Sequence, residues 1–395
     1  MSVTEPLSRR RFLAAMGSLA GVAALGPLSG CSGSGSASNY GSATTAGLRP
    51  TDPTGRSGAR GSTVKVSTWP VYVDKALLPV LEAKAGITLD YIEDYNDNNE
   101  YFAKVQPQLS SGQSIDRDIV VPTYWMASRW ISLGWAQKLP MAQIPNAVHL
   151  RPDLAKPSWD PTGEYTLPWA NVGTIIGYNR KLVGGDLTSI NDLLDPKLKG
   201  KITMLTELRD TLGLMLLASG LNPATFTVDE ANVAFDVIDK AKRDGQIRAF
   251  TGNDYLQDLS AGNVAACFAY SGDIFQLAKE NPDIVLLFPE EGAILETDVM
   301  LVPKTSTNAS GAAAFMDFFY DPVNAAKVTA TTGYISPVAG IADELRKLGA
   351  EASKLADSPA VNPSPAQLAK YATFRPLSED DEATLDGRFS KIVGA

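Results

Sequence analysis

From residue 64 onward the sequence alternates short apolar runs with amphipathic stretches, and this switching of period constrains the fold more than any other feature. An apolar run at 64–69 precedes a stretch in which Leu77, Leu78, Leu81 and Ala85 share one helical face. A strand is expected at 88–92 and a helix at 98–109, and Asp118-Ile119-Val120-Val121-Pro122-Thr123 reads as a buried strand with a polar tip. Strand, helix, strand, helix, strand is the order of layered α/β folds with a mostly parallel sheet, whose ligand sites lie beyond the carboxyl ends of the strands. A second block of the same kind begins near Thr174, with strands expected at 175–178, 201–205, 264–270 and 284–288. Within it, Thr227-Val228-Asp229-Glu230 reads as a capping box before a helix that carries Val233, Ala234, Val237, Ile238 and Ala241 on one face. No sequence repeat relates the blocks, so two lobes follow from pattern alone. Beyond Met300 the chain is helical and Ala-rich, which suggests a return to the first lobe.

A chain of 395 residues suffices for two such lobes, each with an apolar core. Three of its 35 basic residues and one of its 44 acidic residues precede Cys31, so the formal charge of -9 becomes -11 for the remainder. Nucleic acid is not an expected partner, because phosphate neutralisation needs excess positive charge. The acidic surface permits a cationic ligand.

The amino terminus reads as an address. Ser8-Arg9-Arg10-Arg11-Phe12-Leu13 opens an apolar, small-residue stretch that resembles a twin-arginine export signal over residues 1–30. A membrane-spanning helix fits less well, since the stretch is short and contains Gly17, Gly21, Gly26 and Pro27. Leu28-Ser29-Gly30-Cys31 resembles a bacterial lipobox, with Cys31 as the acylated residue and 31–62, rich in Ser, Gly, Ala and Thr, as a flexible tether. Export and lipid anchoring to the outer face of the cytoplasmic membrane are the expectation. The only other cysteine, Cys267, lies in an apolar run, so no intrachain disulfide is expected.

Few chemistries have their residues available. The single histidine, His149, has no Gly-x-Ser-x-Gly elbow to serve, which argues against Ser-His-Asp and Cys-His catalysis and against His/Cys zinc sites. The run from Asp94 to Glu100 has Asn99 where a calcium loop needs glycine and Val105 where it needs glutamate, so it reads as a loop and helix start. No phosphate-binding glycine loop is present, and no metal or cofactor is expected. Paired carboxylates for hydrolysis remain open.

Five segments, in order, resemble the spermidine/putrescine-binding proteins of bacterial ABC importers. These are Trp69-Pro70-Val71-Tyr72 with 95–104, then 118–125, Thr206-Glu207-Leu208-Arg209-Asp210, Glu291-Gly292 through Asp298 to Pro303, and Thr332-Gly333-Tyr334. The resemblance implies a type II periplasmic-binding-protein fold with a hinge, dividing into 63–169 plus 299–345 as one lobe and 170–298 as the other, with 346–395 packed across both. It implies a monomeric binder, not an enzyme, that delivers its ligand to an ABC permease. The implied ligand residues are Trp69, Tyr72, Thr123, Trp125, Asp210, Tyr270, Glu296, Asp298 and Tyr334, with Tyr124, Glu207, Asp273 and Arg375 behind them. Carboxylates pair with ammonium groups, and aromatic faces take both methylenes and cationic nitrogens. Asp210 is equally consistent with a first-turn helix acid offsetting the dipole, and Tyr334 with a packing residue. The chain departs from the family at Pro70 and Val71, where a polar clamp is missing, and at Glu296, where the family has tryptophan. It also departs at Arg375, whose charge would repel a polyamine and could hold a carboxylate instead. A zwitterionic or other small solute in the same fold is therefore the alternative ligand, and an exported carboxylate-dependent hydrolase the alternative function.

Overall fold

The computed structural model describes residues 61–358 and 360–394; the arginine pair, Cys31 and the tether up to residue 60 lie outside them. The first half carries β1 (Thr63–Thr68), α1 (Leu78–Ala85), β2 (Thr88–Glu93), α2 (Asn98–Ser110), β3 (Ile119–Val120), α3 (Tyr124–Ser132), β4 (Ala136–Gln137) and β5 (Thr166–Asn179). There follow α4 (Arg180–Val183), β6 (Ile202–Leu205), α5 (Leu208–Ala218), α6 (Val228–Arg243), β7 (Ile247–Thr251), α7 (Tyr255–Ala261), β8 (Ala266–Tyr270), α8 (Ser271–Glu280) and β9 (Ile284–Leu287). The long β10 (Ala293–Pro303) leads into α9 (Ala309–Phe319), α10 (Pro322–Thr332), α11 (Ile341–Lys347), α12 (Ala350–Ala356), α13 (Pro365–Leu368), β11 (Tyr371–Ala372) and α14 (Glu379–Val393).

Local chemistry accounts for the helix starts that matter. Asp97 accepts from the amides of Asn99 and Glu100 and caps α2, so the acidic run before it is a loop and a cap. Thr227 and Glu230 form the reciprocal capping box of α6. The buried stripe of α6 is Ala231, Ala234, Phe235, Ile238 and Ala241, whereas Val233 is 54 % exposed. Phe235, one position past Ala234, completes the 3.6-residue period and displaces Val233 from the expected face.

The sheet departs from the mostly parallel one expected. Its strands run in the order β2-β1-β3-β10-β5-β8-β6-β7. The flanks are parallel, β1 with β2 and β3, and β6 with β7 and β8. The centre is antiparallel, because β10 runs against β3 and β5, and β5 against β8 and β9. The expected strand at 118–123 shortens to Ile119–Val120, while the one at 175–178 extends back to Thr166.

Two apolar cores flank this centre. One gathers Val64, Val66, Ile119, Trp130 and Phe315; the other gathers Ile176, Leu212, Phe235 and Phe268. Both β5 and β10 pass from one core to the other: Ala170, Val172 and Val299 belong to the first, and Ile175 and Ile294 to the second. At the carboxyl terminus Ala356 joins the first core, and Phe374, Leu385, Phe389 and Ile392 join the second. The handover on β10 leaves room for Glu296 and Asp298 between two apolar masses.

Candidate functional site

Alternation along β10 turns Glu296 and Asp298 to one face, opposite Val172 and Ala170 of β5. The ladder shifts register between Asp298 and Val299, and such a bulge re-aims side chains. Asp298 accepts from the Tyr72 hydroxyl at 2.5 Å and from Thr123 Oγ1 at 2.7 Å. Thr123 stands at the N-cap of α3, yet its hydroxyl caps nothing there, being committed to Asp298 and to Asn98 Nδ2 at 2.9 Å. Asp210, in the first turn of α5, accepts from Thr174 Oγ1 and from the Tyr270 hydroxyl at 3.0 Å. Glu207 begins that helix by accepting from the Arg209 amide.

Aromatic rings close the space between these carboxylates. Trp69 donates its indole N–H to the Val121 carbonyl at 2.8 Å and packs against Tyr95. Val71, at φ 49° and 40 % exposed, lies in the left-handed region that β-branched residues avoid, at the turn that delivers Tyr72 inward. Tyr72 meets Tyr334 edge to face, with centroids 4.8 Å apart. Gly272 admits the Tyr334 ring, since a Cβ there would stand 2.5 Å from it. The result is a small cavity lined by Trp69, Tyr72, Thr123, Asp210, Tyr270, Glu296, Asp298 and Tyr334. Val172 and Asn253 also line it and were not anticipated. Val172 becomes visible only once the β5–β10 register is known; Asn253 follows a strand end in a Gly-Asn-Asp turn, a signal that was available.

Other expected residues stand elsewhere. Trp125 stacks on the Arg209 guanidinium, 3.9 Å from the ring centroid, and borders a separate groove. Tyr124 packs on Trp159 and donates to the Phe374 carbonyl at 3.4 Å. Glu207 sits beside Arg209, 3.9 Å away, off the cavity lining. Asp273 lies behind the wall and accepts from Tyr255 at 2.6 Å, Tyr334 at 2.6 Å and Asn253 at 2.9 Å, so it orients two lining residues. Arg375 does not face the cavity: its guanidinium donates to the Phe226 carbonyl and Asp381 and lies over the Phe226 ring. That ring and carboxylate offer it a stack and an ion pair that local sequence does not reveal.

Electrostatically the cavity is acidic: no Lys or Arg is among its lining residues, and the buried Arg209 charge offsets Asp210 and Glu296 only in part, from outside the lining. Burial pushes the Asp298 carboxyl up to about 7, although hydrogen bonds from Tyr72 and Thr123 favour its ionised form. Burial raises Asp273 to about 6 in the same way. Asp210 and Glu207 are likewise raised by burial, and Glu296 is raised well above the carboxylate range by burial and then by the charges of Asp210 and Glu207. Buried carboxylates that lack a basic partner gain most from a ligand that brings positive charge. Among the described residues no group of His, Cys, Asp and Glu is placed to hold a metal ion, and no helix is long and apolar enough to cross a membrane.

The model of a family described as bacterial extracellular solute-binding protein matches residues 78–361. The chain is 26% identical to spermidine/putrescine-binding periplasmic protein 1 of Haemophilus influenzae over 307 residues, covering 78% of this chain and 82% of that one. It is 28% identical to the putrescine-binding periplasmic protein SpuD of Pseudomonas aeruginosa over 355 residues, covering 85% of this chain and 92% of that one. The solved spermidine/putrescine ABC transporter substrate-binding protein PotD of Streptococcus pneumoniae superposes with a TM-score of 0.68 at 22% identity, over 84% of this chain and 98% of that one. That last likeness is one of fold.

Proposed function

The chain belongs to the bacterial extracellular solute-binding proteins, which capture solutes and do not transform them, and from that premise we propose that its cavity takes a linear aliphatic polyamine of the spermidine/putrescine class. One observation carries this reading: Asp210, Glu296 and Asp298 converge on a cavity with aromatic walls and no basic lining residue. Ammonium groups pair with the carboxylates, and the methylenes between them lie against Trp69, Tyr72, Tyr270 and Tyr334. A ligand carrying its own carboxylate would need a basic group at the cavity, and Arg375, expected to supply it, is engaged by Phe226 and Asp381. Thermal shift of the full chain tests the reading, since a ligand that binds only the folded state raises the melting temperature. Putrescine and spermidine should raise it and neutral sugars and amino acids should not; the reverse pattern would overturn the reading.

The finer setting is proposed on the same footing. The loaded protein delivers its ligand to an ABC permease, and a diacylated Cys31 keeps it at the membrane surface after twin-arginine export. Replacing Cys31 with Ser should move the protein from the membrane to the soluble fraction. Unchanged membrane association would rule out the lipid anchor.

A further inference from the structure

Glu296 is the lining carboxylate that the protein itself leaves without a hydrogen-bond partner: it is 4 % exposed, and neither of its oxygens finds one among the described residues. The other two carboxylates are already oriented, Asp298 by Tyr72 and Thr123, and Asp210 by Thr174 and Tyr270. The ladder between β5 and β10 also sets their order. Asp298 lies opposite Ala170, Glu296 opposite Val172, and Thr174, which holds Asp210, opposite Ile294. Successive rows are two residues apart, or about 7 Å along a strand. The carboxylates thus form a line with Glu296 at its centre.

We propose that Glu296 pairs with the central ammonium of a linear triamine and thereby makes the cavity select a triamine over a diamine. The inference rests on the polyamine reading above. In an extended amine, three or four methylenes separate neighbouring nitrogens by about 5–6 Å from standard bond lengths, a spacing the short arms of Asp and Glu can meet from rows this far apart. A diamine satisfies two carboxylates and leaves the third buried with neither oxygen hydrogen-bonded, which disfavours it. A triamine satisfies all three.

Calorimetric titration of the full chain with putrescine and with spermidine, for the parent and for Glu296→Gln, decides it. The parent should bind spermidine at least tenfold more tightly than putrescine. Glu296→Gln should lose tenfold or more in spermidine affinity and less in putrescine affinity, so that the preference for the triamine narrows. Its ligand-free melting temperature should match the parent's, because burial holds Glu296 protonated when no ligand is bound and the change keeps its shape, so lost affinity is not lost folding. Glu296→Asp, which keeps the charge, should keep the triamine preference. Equal binding of the two amines by the parent, or an unchanged preference in Glu296→Gln, would overturn the assignment and leave the polyamine reading standing. A parent that binds neither amine would overturn both.

Discussion

Asp298 is held by two hydroxyl donors and still titrates near 7, because burial outweighs the hydrogen bonds that favour its charge. The direction matters for stability. A carboxyl whose folded value lies above its ordinary 3.8 binds its proton more tightly in the folded state, so stability is full below that ordinary value and falls as pH rises through the folded one. Between pH 5 and 8 the ligand-free protein should therefore lose melting temperature, and Asp298→Asn should lose less of it. A polyamine reverses the balance by favouring the ionised carboxylates, so its affinity should rise across the same interval with release of protons. Equal pH profiles for parent and Asp298→Asn would show that Asp298 does not titrate in this interval. Legibility at this scale was uneven. Trp69 was readable because it follows the apolar run of β1, whereas Asp298 lies inside β10 and Tyr334 just past the Gly333 cap of α10, so both rested on the family resemblance. Trp125 and Arg375 were misplaced because each finds its partner, Arg209 or Phe226, far away in the chain.

Elements with local causes were legible. The capping box of α6, the helix that starts after Asp97 and most strand positions follow from period and cap residues. Strand direction did not, since nothing in residues 166–179 or 293–303 tells a strand whether its neighbour runs with it or against it. The length of β5 was hidden too, because Pro168, Asn171 and Gly173 interrupt its apolar pattern. Pairing with β10 sustains the strand across them, and the Asn171 side chain donates to Thr297 at 2.8 Å. The three-carboxylate line is a product of this pairing: the β5–β10 register, absent from any local motif, places Glu296 between Asp298 and Thr174.

For the whole molecule, β5 and β10 join two cores and carry the cavity at their junction, where contacts reach across from both sides. Thr206 donates to Asp97 at 2.7 Å, and the Asn253 amide to the Asn96 carbonyl at 3.2 Å. Ligand contacts to both sides would favour the arrangement that brings them together, because only differential affinity shifts such an equilibrium. Asp298 is central to this, being hydrogen-bonded to Tyr72 of the first core and to Thr123, while sharing the cavity with Asp210 of α5, the helix that packs in the second. If the cavity pairs this carboxylate with a buried ammonium group, removing its charge leaves the cation unpaired, at a cost of about 3–5 kcal/mol, or a hundredfold or more in affinity. The most direct measurement is a calorimetric titration of spermidine into the full chain and into Asp298→Asn at pH 8. The account predicts saturable binding by the parent and a loss of a hundredfold or more in the variant; equal affinities, or no binding by the folded parent, would contradict it.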